Sequence, residues 1–227
     1  MQNDSRVPGW TFRRSRDRYF LGFALLFCLS LLLALVSGSW PAWIFCGLTL
    51  CVFGLVFYFF RDPVRILADR DPAVCYSPAD GQIVDILEDF EDRGTGVNFI
   101  RIGIFMSVLD VHVQRSPLSG VVDFVSHQAG VNHPAYLPEA STENDQITMG
   151  LRTSYGPVLV KQIAGILARK CVNFALPGDE IASGQRYGLI KLGSRVELFL
   201  PPGSVILARI GDKVTAGITP IAEMRDV

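Results

Sequence analysis

Histidine is scarce in this chain, and the few that occur do not cluster. There are three, at positions 112, 127 and 133 of 227 residues, and none stands at metal-ligand spacing from a cysteine. The five cysteines are scattered as well: Cys28, Cys46 and Cys51 lie in apolar stretches, Cys75 and Cys171 are isolated, and no CxxC occurs. This pattern excludes a zinc ribbon or finger and offers no disulfide framework, so no metal is expected. Net charge is missing too. Lys and Arg number 21 against 22 Asp and Glu, leaving -1, so no global field draws the chain to nucleic acid. A third absence is local: from Tyr19 to Val36 and from Ala42 to Phe60 there is no charged residue at all.

Those two charge-free stretches are each long enough to cross a hydrocarbon layer of ~30 Å as a helix. Only "SGSWP" separates them, which leaves room for a hairpin turn. Arg13, Arg14, Arg16 and Arg18 precede the first stretch, and Arg61, Arg65 and Arg70 follow the second. By the positive-inside rule both ends lie in the cytoplasm, with Trp40 and Trp43 at the far interface. A cleaved secretory signal fits less well, because its basic lead-in is long and a second apolar span follows at once. A buried hairpin of a soluble domain fits less well still, since neither span has a polar face. The expected organisation is a basic cytoplasmic segment over 1–18, a membrane hairpin over 19–60 and a globular domain over 61–227.

Beyond Phe60 the text changes to short alternating or β-branched runs divided by Gly, Pro, Asp and Asn. Strands are expected over Gln82–Leu87, Asn98–Phe105, Gly120–Val125, Val158–Ile163, Gly188–Leu192, Val196–Leu200 and Val205–Ile210. Only Val158–Val172 hints at a helical period, and Gln128–Asp145 reads as a long loop. "GDEIASG" (178–184) and "GDKVTAG" (211–217) form a weak repeat. Such Gly-Asp turns recur in barrel-sandwich modules of the lipoyl and biotinyl type, although the modified-lysine tripeptide of a carrier is lacking. The fold class is therefore mainly β (α+β), with barrel-sandwich elements behind an N-terminal transmembrane helical hairpin.

Three short motifs carry the chemistry. In "LIKLGSRVELFLP" the pair Gly193-Ser194 interrupts an alternating strand pattern, where a glycine ordinarily marks a bulge or a close backbone approach. In "SPADG" Asp80 reads most simply as a turn residue. In "SVLDVHVQRSP" His112 lies in a strand-like run, where a half-buried structural histidine is common, and Asp110 shares its strand face.

Together these segments resemble phosphatidylserine decarboxylase in its shorter, membrane-hairpin form. "FRDPVR", "SPADGQIV", "IFMSVLDVHVQRSPLSGVV", "STEND", "KQIAGILARKCV", "GQRYGLIKLGSRVELFLP" and "GDKVTAGITPIAEM" stand in that family's order over Phe60 to Ala222 and just beyond. The resemblance implies a proenzyme that cuts its own Gly193–Ser194 bond, giving a β chain (1–193) and an α chain (194–227). Ser194 would become a covalent pyruvoyl group, whose ketone condenses with the substrate amine and draws electrons from the bond to the carboxylate. It also implies an Asp80, His112, Ser194 arrangement for cleavage, with His112 as base and Asp80 orienting it. The substrate would be a phospholipid in the cell membrane, handled by a domain on the cytoplasmic side.

The sequence departs from the longer family members in three places. They carry two histidines three apart, whereas the residue three after His112 is Arg115. Either His112 serves both maturation and decarboxylation, or Arg115 binds a substrate phosphate or carboxylate; His127 and His133 are the remaining candidates for a second histidine. Asn144-Asp145-Gln146 stands where relatives commonly show Asn-Glu-Arg, and Arg195 stands where many have Thr. Two rival classes are a membrane-anchored serine hydrolase pairing Ser194 with Lys191 or a histidine, and a non-enzymatic barrel-sandwich adaptor. The former keeps the chain intact at Ser194, and the latter does not depend on Ser194.

Overall fold

The computed structural model describes residues 9–67, 69–91, 98–166, 171–190 and 193–225, with the side chains of 9–16, 18 and 91 set aside. Lys191 and Leu192 therefore lie outside the described residues. Two compact units make up the chain, Met1–Asp62 and Pro63–Val227.

The first unit is a helical hairpin of α1 (Gly9–Ser37) and α2 (Trp40–Phe59). The basic run 13–18 is part of α1 rather than a separate segment. Gly38, at φ +60, ends α1 with its N–H on the Ala34 carbonyl at 3.0 Å, and Pro41 sits in the first turn of α2. This is the ordinary stop-and-start chemistry of adjacent helices. Both helices are long and apolar enough to cross a membrane, and most of that apolar surface is uncovered by protein. Between them the buried hydroxyls of Ser30 and Thr49 meet at 2.7 Å.

The second unit is built from antiparallel strands: β1 (Val74–Tyr76), β2 (Gly81–Glu91), β3 (Asn98–Met106), β4 (Val113–Arg115), β5 (Gly120–Gln128), β6 (Gln146–Thr153) and β7 (Gly156–Ile163). There follow β8 (Cys171–Asn173), β9 (Glu180–Ile181), β10 (Arg186–Ile190), β11 (Ser194–Leu200), β12 (Val205–Ile206), β13 (Lys213–Val214) and β14 (Pro220–Glu223). A one-turn helix, α3 (Ala140–Glu143), interrupts the long loop before β6. A mainly β domain and an apolar helical hairpin are thus what the sequence led one to expect. The helical hint over Val158–Val172 is not realised among the described residues: Val158–Ile163 belong to β7 and Cys171–Val172 to β8, and 167–170 lie outside the described residues.

Strand order reveals an internal two-fold repeat. The large sheet runs β13-β2-β3-β11-β7-β6-β5-β9, and two small sheets run β1-β14-β12 and β4-β10-β8. Exchanging β1, β2, β3, β11, β12, β13, β14 for β4 through β10 in order reproduces every neighbour. Matched turns repeat the same hydrogen bonds: Gly178 N–H to Val122 O at 2.7 Å and Gly211 N–H to Ile83 O at 2.8 Å, then Gly184 N–H to Ser116 O at 2.8 Å and Gly217 N–H to Ser77 O at 2.7 Å. The Gly-Asp repeat seen in the sequence is the visible fragment of this larger symmetry.

The second half-domain is inserted into the first. Where β6 turns tightly into β7, β3 is separated from β11 by all of β4 to β10, so the chain passes between halves at 107–112 and again between β10 and β11. Ladder registers bring both passages to one end of the sheet, with Ser194 opposite Met106 and Arg195 opposite Ile163.

One face of the large sheet packs Ile102, Ile104, Met149, Val158, Val160, Val196 and Leu198 into the main core. β11 is buried on its other face as well. Arg195 Nε donates to Glu197 Oε1 at 3.0 Å, the Arg195 guanidinium also pairs with Asp85, and Ser141 Oγ of α3 donates to Glu197 at 2.7 Å. The alternation that reads as a half-exposed strand is an apolar face backed by a sequestered ion-pair face.

Candidate active site

Gly193 precedes β11 and Ser194 opens it, so the break in strand pattern falls where the chain changes from the small sheet of β10 to the large sheet of β11. Gly193 holds φ +61, a left-handed conformation that costs any side-chain-bearing residue roughly 1–2 kcal/mol. Ser194 is fully buried, on the core-facing side of β11, and its Oγ donates to Met106 Sδ at 3.3 Å.

His112 ends the outward passage, which explains why a residue so far away in sequence arrives at the same place. It is buried. Its Nε2 accepts the Gly193 N–H at 3.2 Å, and its Nδ1 lies 2.8 Å from the Asp110 carbonyl. A carbonyl can only accept, so Nδ1 carries the proton and the Nε2 lone pair faces Gly193. The Ile190 N–H donates to the His112 carbonyl at 3.2 Å, so His112 accepts from both Ile190 and Gly193. The Asp110 carboxylate is occupied elsewhere, accepting from the Ser107 N–H at 2.7 Å.

The opposite wall is backbone. A Cβ placed on Gly165, just beyond β7, would stand 2.2 Å from the Gly193 carbonyl oxygen. Asn144 holds that segment, its Nδ2 donating to the Ala164 carbonyl at 2.6 Å and to the His133 carbonyl at 2.8 Å, while its Oδ1 accepts the His133 N–H at 2.8 Å.

Asp80 is placed differently from the expectation. Its oxygens take both terminal nitrogens of Arg65, at 2.6 and 2.7 Å, and the Ala216 N–H at 2.8 Å. In the repeat its counterpart is Ser119, whose Oγ accepts the Ser183 N–H at 3.0 Å. Both residues tie a turn, and only Asp80 adds an ion pair. The structure thus brings His112 to Gly193–Ser194, but the acceptor on its Nδ1 is the Asp110 carbonyl and not Asp80.

The family model for phosphatidylserine decarboxylase matches residues 52–222. This chain belongs to the phosphatidylserine decarboxylase family. Similar curated relatives are the phosphatidylserine decarboxylase proenzymes of Parabacteroides distasonis, 41% identical over 174 residues (76% of this chain, 79% of the relative), and Nocardia farcinica, 45% identical over 170 residues (73% and 71%). That of Paraburkholderia phymatum is 37% identical over 217 residues, 95% of either chain.

Against the pattern of the phosphatidylserine decarboxylase family, Arg115 stands where longer members have their second histidine. It is buried, and its guanidinium donates to the carbonyls of Gly184 at 3.0 Å and Pro63 at 3.2 Å. As placed it braces a turn of the repeat, much as Arg70 braces the equivalent turn through the Gly217 carbonyl at 2.6 Å. His127 pairs with Asp145 at 2.8 Å and His133 with Glu143 at 3.0 Å, both at exposed positions. Burial pushes the thiols of Cys75 and Cys171 far above the ordinary cysteine range, so neither supplies a thiolate. Among the described residues no three His, Cys, Asp or Glu converge on a metal position.

Met106, Arg65 and Gly165 escaped the sequence reading as site residues. Only Gly165 left a trace, as a glycine closing the strand-like run "VLVKQIAG".

Proposed function

We propose that this chain is a proenzyme that cuts its own Gly193–Ser194 bond and then converts phosphatidylserine to phosphatidylethanolamine at a pyruvoyl group derived from Ser194. The observation that carries this reading is the His112 Nε2 lone pair at the Gly193 N–H beside a buried serine. In this reading the His112 Nε2 gives up the Gly193 N–H and takes the Ser194 hydroxyl proton as Oγ swings from Met106 onto the Gly193 carbonyl carbon, and it returns a proton to the Ser194 nitrogen as the C–N bond breaks. The product is an ester between Gly193 and Ser194 Oγ. Loss of the Ser194 α-proton expels the Gly193 carboxylate and leaves dehydroalanine, which water hydrolyses to pyruvoyl and ammonia.

The buried surroundings of position 194, with Met106 at its Oγ and His112 at the preceding peptide, are small and dry enough to suit such a group. The pyruvoyl ketone supplies an electron sink for the bond to the substrate carboxylate. His112 then serves as proton donor to the former α-carbon. Asp80 enters this reading through the Arg65 ion pair, which steadies the β2 turn, and Arg115 through the turns it braces.

A lipid substrate accounts for what surrounds the site. Val108 lies beside Gly193, Tyr136 follows Ala135 on the Gly165 wall, and Ile166 follows Gly165. With Leu109 these apolar side chains are exposed. A membrane hairpin in the same chain, with residues 1–18 and the domain from 61 onward on the cytoplasmic side, tethers the domain to the bilayer that holds such a substrate. Lifting acyl chains out of a bilayer instead would cost roughly 0.8 kcal/mol per CH₂.

Intact-mass measurement of the purified protein tests the proposal. Two fragments are expected, 1–193 and 194–227, the smaller lacking an amino terminus, refractory to Edman degradation and reducible by borohydride. An intact chain, as a serine hydrolase would give, or a free Ser194 amine would overturn it.

A further inference from the structure

We infer that Asn144 and Gly165 are positioning residues for self-cleavage: together they form the main-chain wall that sets the Gly193 carbonyl for attack. The inference rests on the proposed function and concerns which residues make its first step possible.

The close approach is specific to that carbonyl. At Gly165 a Cβ would lie 2.2 Å from the Gly193 oxygen and 3.3 Å from its carbon, against a carbon–carbon optimum of about 3.5–4.0 Å. The obstructing atoms are backbone at the reacting bond, so a methyl group could be admitted only by moving the carbonyl that Ser194 must reach. At Gly193 itself the nearest atom to a Cβ is Val108 Cγ2 at 3.8 Å. There the constraint is the left-handed φ and not space. The two glycines therefore have different tasks, one bending the attacked peptide and the other making room for its oxygen.

Asn144 fixes where that wall stands. Fully buried, it spends one oxygen and one amide group on three backbone partners, clamping Ala164 to the His133 main chain. Ala135, two residues after His133, closes the same position, its Cβ 3.3 Å from where a Cβ on Gly165 would stand. The neighbouring Ala164 N–H goes to the Asp145 carbonyl at 2.9 Å. No other side chain type of this size offers both the acceptor and the two-hydrogen donor in one plane.

The test is the rate of cleavage of full-length protein, with Ser194→Ala versions as folding controls. Gly165→Ala should stay uncleaved and should yield no fragment with hydroxylamine, which cuts the ester intermediate. That result places the block before the acyl shift. Asn144→Asp keeps the acceptor for the His133 N–H but turns an oxygen toward two carbonyls. When ionised it repels them, and when protonated it regains one donor. Its cleavage should be about tenfold slower than wild type near pH 8, and the deficit should narrow as pH falls toward about 5.5. Titratable groups around Asn144 are the His133–Glu143 pair, the His127–Asp145 pair and the Cys171 thiol on the Asp145 carbonyl. All are shared with wild type, so the ratio of the two rates isolates the new carboxyl.

Wild-type cleavage by Gly165→Ala, or an Asn144→Asp ratio that is unity or flat with pH, overturns the inference. If Gly165→Ala fails to fold, the Asn144→Asp ratio decides alone. Failure of the proposed function would look different, because then wild type itself remains whole or carries a free Ser194.

Discussion

At the scale of single residues, the site separates groups that touch the scissile peptide from groups that hold the scaffold. His112 is in the first class through its hydrogen bond to Gly193. Replacing it with Gln keeps polarity but removes the ring nitrogen that could accept a proton, so cleavage should slow by about 10²–10⁴-fold, the usual range for a general base; following full-length chain on a denaturing gel measures this. Asp80 falls in the second class. Its side chain and that of Arg65 are 15% and 7% exposed, and breaking a pair so withdrawn from water costs about 3 kcal/mol. Asp80→Asn, read by urea unfolding in the Ser194→Ala background, should therefore lose stability. Arg65→Met should lose a similar amount, and the double variant less than the sum. Slower cleavage of Asp80→Asn at unchanged stability would show instead that the carboxylate acts on the chemistry.

At the scale of elements, the scissile bond lies at the join between a half-domain and its insertion. Cutting there leaves β11 hydrogen-bonded to β3 on one side and β7 on the other, and β14 between β1 and β12. The fragment 194–227 should therefore remain bound after cleavage, co-eluting with 1–193 in gel filtration and parting only in denaturant. Elution of the fragment alone under native conditions would contradict the ladder.

The sequence was legible where periodicity was local. The runs at 82–87, 98–105, 120–125 and 196–200 lie within β2, β3, β5 and β11, and the Gly-Asp repeat marks two equivalent turns. β6 gives a weaker signal even though Ile147, Met149 and Leu151 alternate, because the polar loop residues run directly into its first position, Gln146. Insertion of one half into the other leaves no local signal, so the meeting of His112 with Gly193 could be reached only by resemblance. Asp80 beside Gly81 looks the same whether it orients a base or ties a turn. Its partner Arg65 lies in a segment that reads as a membrane flank.

At the scale of the whole molecule, cleavage and lipid access draw on different units. Met106, His112, Asn144, Gly165, Gly193 and Ser194 all belong to the unit Pro63–Val227, whereas the two apolar helices belong to the other. Full-length protein should stay in membranes through a high-salt wash, since salt screens charge but leaves buried apolar surface untouched. A chain beginning at Pro63 should still cleave itself at the wild-type rate. Its turnover should then depend on how the substrate is presented. A water-soluble short-chain phosphatidylserine reaches the site by diffusion and should be decarboxylated about as well as by the full-length enzyme. A long-chain lipid in vesicles must meet the site at the interface, and without the hairpin the domain relies on exposed apolar side chains such as Val108, Leu109, Tyr136 and Ile166 to hold it there. Vesicle turnover should accordingly fall at least tenfold while cleavage does not change, and substituting Leu109 and Ile166 with Ser in the shortened chain should lower it again. If the shortened chain loses cleavage and both activities together, the hairpin supports the fold of the catalytic unit and not the supply of lipid to it.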